Sequence, residues 1–80
     1  MPYLKYEDKE RLLDHPYPTK AGELNYLVTT FALRYWSKST RNYEALNAII
    51  GALEASKLEL YRRLVVPYET EKIKDNGDVY

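Results

Sequence analysis

The chain has 80 residues, with 12 basic and 12 acidic side chains, one histidine and no cysteine. A chain this short makes one domain that buries roughly 60% of its unfolded surface, and without cysteine it has neither disulfides nor thiolate metal sites to staple it. Its zero net charge argues against general binding of duplex nucleic acid, which runs on phosphate neutralisation, and no apolar run reaches the roughly 20 residues that span a bilayer.

The N-terminal residues Met-Pro-Tyr-Leu-Lys-Tyr-Glu-Asp hold no apolar core of the kind a signal peptide needs, so a cytoplasmic location is expected. Residues 6–14 predict two turns of helix with acidic residues at the start, where the macrodipole favours them. A helix so short is marginal alone and must pack through Leu12, Leu13 and Tyr6. His15-Pro16-Tyr17-Pro18 ends it, because each proline pushes its predecessor out of the α region.

A second helix is predicted over 20–37. Leu24, Leu27, Val28, Phe31 and Tyr35 recur at helical spacing and form one stripe. The run Ser37-Lys38-Ser39-Thr40 closes it, since serine and threonine compete for backbone bonds.

The third and longest helix is predicted over 42–66, capped by Thr40 or Asn42. Leu46, Ile49, Ile50, Leu53, Leu60 and Leu64 line one face, and Ala45, Ala48, Ala52, Ala55 and Gly51 lie beside them, small enough for close approach by another helix. Pro67 removes a hydrogen bond and crowds the carbonyl four residues back. The helix therefore ends near Val66, or kinks and continues over 67–75. Asn76-Gly77 is a stop signal, and the tail 76–80 is expected to fray.

The predicted fold class is all-α. A short N-terminal helix precedes an antiparallel helical hairpin in a single domain, 1–80, and oligomerisation completes a helical bundle. A two-helix hairpin leaves Leu33, Trp36, Leu58, Tyr61 and Val65 off the main stripes. Apolar surface of that extent marks an interface, and a bundle of two or more copies covers it most simply. The expected interface residues are Leu33, Trp36, Leu46, Ile50, Leu58 and Val65.

The chemistry available is limited. There is no phosphate-cradling G-x-x-x-x-G-K-[ST] run, no G-x-S-x-G elbow and no H-E-x-x-H. His15 beside Asp14 has only threonine and tyrosine near it as nucleophiles and reads as a surface histidine before a turn. Glu54 and Glu59 point about 140° apart on a helix, so no metal is expected; nor is any cofactor or catalytic residue.

The most suggestive group is Tyr61-Arg62-Arg63 with Tyr68 and Lys72. Arginine forks grip phosphates and carboxylates, and tyrosine offers a stacking face. These five are the candidate residues for a nucleotide-like anion. The plainer reading pairs Arg62 and Arg63 with Glu59 at a helix C-terminus. Tyrosine is abundant, nine against one Phe and one Trp. Alternating with Lys and Arg, it also suits single-stranded nucleic acid, though neutrality and the lack of a sheet platform weigh against that.

Several words in the chain resemble a family of short uncharacterised proteins of tailed phages and bacterial prophages. They are Met1 to Lys5, Gly22-Glu23-Leu24-Asn25-Tyr26, Asn42-Tyr43, Ile49 to Glu54, Lys57 to Arg63, Pro67-Tyr68-Glu69, Lys72-Ile73-Lys74 and Asn76 to Tyr80. The resemblance implies a small accessory phage protein at work in the host cytoplasm, and it carries no catalytic or ligand residues. The expectation is a non-enzymatic homo-oligomer acting in phage–host interaction. It would be a counter-defence module that sequesters a nucleotide-type immune signal or blocks a host protein. The alternatives are a minor structural or assembly protein and a single-stranded nucleic-acid binder.

Overall fold

A computed structural model describes residues 4–80, so Met1, Pro2 and Tyr3 of the family-like opening lie outside the described residues. Every regular element among the described residues is helical: α1 Tyr6–Asp14, α2 Ala21–Lys38, α3 Tyr43–Leu60, a π-helical turn Tyr61–Val65, and α4 Val66–Asn76. The chain is all-α. None of these helices is long and apolar enough to cross a membrane. Two compact units divide the chain, Met1–Ala45 and Leu46–Tyr80.

In the first unit, α1 carries Glu7 and Asp8 in its first turn, next to the exposed backbone N–H groups of a helix start. Leu12 is 0% exposed, whereas Leu13 is 47% and Tyr6 71% exposed. Of the three residues expected to pack α1, Leu12 alone is buried. The His15 N–H closes the helix on the Arg11 carbonyl at 2.7 Å. On α2, Leu27 is buried, but Leu24, Val28, Phe31 and Tyr35 of the same stripe remain exposed.

The link from α2 to α3 is a chain of local bonds. The Ser39 hydroxyl donates to the Trp36 carbonyl at 2.7 Å and accepts the Arg41 N–H at 3.1 Å. Arg41 takes a left-handed φ of 55°, uncommon for a residue with a Cβ. Asn42 then caps α3, its Oδ1 accepting the Ala45 N–H at 3.0 Å. Of the two cap candidates, Asn42 makes this bond. Replacing Asn42 with Ala should cost about 1 kcal/mol, read as a lower urea midpoint with an unchanged slope.

The second unit is a run of helix. Leu60 and Val66 flank the π turn with ordinary α-helical angles, and the Val66 N–H bonds the Tyr61 carbonyl five residues back. Pro67 falls in the first turn of α4. In a continuous helix a proline lacks the N–H that would bond the preceding turn, and its ring crowds a carbonyl there. Helix continues past Pro67, and the widened turn ahead of it is the local adjustment. Gly77 ends α4 at φ 82°, with its N–H on the Ile73 carbonyl at 2.7 Å. Only glycine adopts that conformation, with ψ 161°, without strain.

Candidate functional site

A buried carboxylate organises the first unit. Glu23 is 3% exposed. Its Oε1 accepts the Thr19 N–H at 2.9 Å and the Thr19 hydroxyl at 3.0 Å, and its Oε2 accepts Arg11 Nη2 at 2.7 Å. The backbone half resembles a capping box, in which a carboxylate in the first turn reaches back to a free N–H. The other half ties α2 to α1. Asp8 lies 3.8 Å from the same guanidinium, and Lys9 sits over the Tyr26 ring at 5.9 Å. In the sequence Glu23 stands out only as part of a family-like word. Thr19-x-x-x-Glu23 is the sequence signal of the cap, but nothing in it points to Arg11.

The Thr19 backbone bond holds the Glu23 carboxyl below its ordinary value; burial opposes it, and the Thr19 hydroxyl and Arg11 add to it. A carboxyl depressed in the folded state stabilises the fold above its unfolded value of about 4.3, and that stability is lost as pH falls through the lower folded value. Melting temperature should therefore drop between pH 5 and pH 3. In Glu23→Gln the drop should be shallower and start from a lower plateau. Equal slopes in the two proteins would remove Glu23 from this role.

The proposed ligand residues lie in the second unit, and their partners sort them into two groups. Arg62 and Arg63 both donate to the Glu59 carboxylate. Tyr61 donates its hydroxyl to Glu69 at 3.3 Å, and Lys72 stands over the Tyr68 ring at 5.6 Å. Two residues apart on a helix are about 200° apart, so Tyr61 and Arg63 lie on nearly opposite sides. The structure thus brings Tyr61, Glu69, Tyr68 and Lys72 towards one side, with Glu59, Arg62 and Arg63 on another. It does not gather the five around a single point. The arginine side chains are each 73% exposed, so their pairs with Glu59 are screened and contribute little. Glu54 is occupied by Lys57 at 3.3 Å. Among the described residues no group of three or more acidic or histidine side chains converges on a point.

The expected interface residues are placed more simply. Leu33, Leu46, Ile50 and Leu58 are exposed, with Ile50 the most open at 65%. Trp36 and Val65 are half-buried. Ala45 is buried, but Ala48, Ala52 and Ala55 face solvent. Among the described residues the buried apolar side chains are Leu12, Leu27 and Ala45. At the end of the second unit, α4 and the tail frame an open groove of about 430 Å³ lined by Glu69, Lys72, Ile73, Asp78 and Tyr80 among others. Periodicity gave no sign of this groove, because the tail forms half of it.

The chain belongs to the DUF6899 family, a domain of unknown function whose sequence profile matches residues 1–79. No curated protein and no solved structure matches it.

Proposed function

We propose that this chain is a non-enzymatic helical binding module that works as a homo-oligomer in phage–host interaction, in the cytoplasm of the host. One observation carries the binding reading: the helices present large apolar side chains to solvent, while among the described residues three apolar side chains are buried. Scattered exposed leucines are ordinary, but a contiguous face of them marks a surface that another chain covers. The apolar stripes of α2 and of α3 each need covering, and a helical bundle completed by further copies meets that need. The phage setting rests on the resemblance of the sequence words.

As a counter-defence module it would act by stoichiometric capture, of either a host protein or a nucleotide-like signal. Tyr68 and Lys72 on one side favour stacking plus charge, and Arg62 and Arg63 on the other favour phosphate. Since one helix does not bring the two sides together, a nucleotide would have to sit where two subunits meet. The test is to incubate the purified protein with cyclic and linear nucleotide signals and measure what stays bound after gel filtration. Retention of one nucleotide per oligomer, lost in the Arg62→Ala, Arg63→Ala double variant, supports capture of a signal. Unchanged retention in that variant removes the arginines from the site. No retention leaves protein capture, tested by pull-down from host lysate for one stoichiometric partner. The double variant should keep its stability within about 0.5 kcal/mol, because exposed ion pairs contribute little.

A further inference from the structure

We infer that residues 46–65 of the second unit pair with the same residues of a second copy, antiparallel, about a twofold axis beside Ala55 and Ser56. This rests on the homo-oligomer reading above and specifies its interface. None of the side chains over 46–80 is buried, so this run of helix has no core of its own. Leu46, Leu53 and Leu60 repeat at seven residues, the spacing of a helix–helix seam. Tyr68 follows Leu60 at eight, and the intervening π turn absorbs the extra residue. The bond from Tyr61 to Glu69, also eight apart, shows that such residues share a side here. In an uninterrupted α-helix they would diverge by about 80°. The π turn thus keeps one apolar face continuous across Pro67.

The face has the size and the charge pattern of a self-interface. Leu46, Ile50, Leu53, Leu60, Tyr61 and Leu64 are 38–65% exposed, on the order of 500 Å² of apolar area. A standard interface buries about 800 Å² per partner, and homodimer interfaces are about 65% apolar, which asks for a similar figure. Residues 46–53 carry no charge, and Glu54 and Lys57 stand symmetrically about Ala55–Ser56. A twofold interface must be self-complementary. Antiparallel pairing at this point sets Glu54 against the partner's Lys57 and Lys57 against the partner's Glu54. It also sets Ile50 against the partner's Tyr61 and Leu46 against the partner's Val65. Parallel pairing in register would set Lys57 against Lys57 and Lys72 against Lys72.

The absence of cysteine makes the test direct. Ile50→Cys and Tyr61→Cys proteins, one carrying a mass tag, are mixed, oxidised and resolved on a non-reducing gel, with Leu46→Cys and Val65→Cys as a second pair should either of the first variants fail to fold. The expected result is a disulfide between unlike variants and none between like ones. In this arrangement Ile50 and its own copy are about 16 Å apart along the axis, well beyond disulfide reach. Disulfides between like variants would overturn the antiparallel arrangement and leave the homo-oligomer standing. An oligomer with no cross-link in either pair would overturn this face. A monomer would overturn both this pairing and the homo-oligomer.

Discussion

Leu12→Ala is expected to lower stability by about 2–4 kcal/mol, the usual cost of a cavity at a buried leucine. Among the described residues Leu12 is the most completely buried side chain, and its neighbour Leu13 is about half exposed. The adjacent substitution Leu13→Ala should therefore cost under about 1 kcal/mol. A loss of 2–4 kcal/mol is a large share of what so small a domain has. Hydrogen exchange over residues 6–14 should lose protection in the first variant and keep it in the second. Equal effects would mean that α1 is not anchored through Leu12. The Arg11–Glu23 pair would then be its principal tie to α2.

The second large effect is expected from Ile50→Asp. Each copy loses a large apolar contact worth about 1.5–3 kcal/mol and gains a charge on the paired face. Because a twofold interface repeats every change, the dissociation constant should rise a hundredfold or more. Helix content should fall with it, since a solitary run of amphipathic helix draws its stability from packing. Glu71→Gln on the same unit, a change of one exposed charge, should leave both unchanged. Full assembly of Ile50→Asp at micromolar concentration would show that this face is not the one the oligomer uses.

How far the sequence could be read depended on how local the physics was. The all-helical fold was legible because a stripe such as Leu24, Leu27, Val28, Phe31 and Tyr35 has no other regular structure to make. Asn42 was legible as a cap candidate, because a cap is set within three residues. The periodicity reported which residues share a face but not what covers them. Leu24 and Phe31 share the α2 stripe with the buried Leu27, and they face solvent.

Less was legible where partners are distant or the backbone departs from regular geometry. The Glu23 tie depends on Arg11, twelve residues away and across a proline linker. No helical spacing relates the two. Pro67 left open whether the helix stops or continues. The answer lies in a π turn of the residues before it, whose side chains read as ordinary helix. That turn also changes which residues share a side. Tyr61, Arg62 and Arg63 looked like one site in the sequence because they are consecutive. On a helix, consecutive residues point apart, and the structure joins the arginines to Glu59 and Tyr61 to Glu69.

We propose that the exposed apolar faces are covered by further copies of the chain. The mass in solution tests it most directly. Light scattering on the eluting peak of a size-exclusion column, at micromolar protein, should give a multiple of the 9.4 kDa chain mass. The peak should shift towards the single-chain mass in Ile50→Asp. A monodisperse 9.4 kDa species with full helix content and a cooperative melt would contradict the claim.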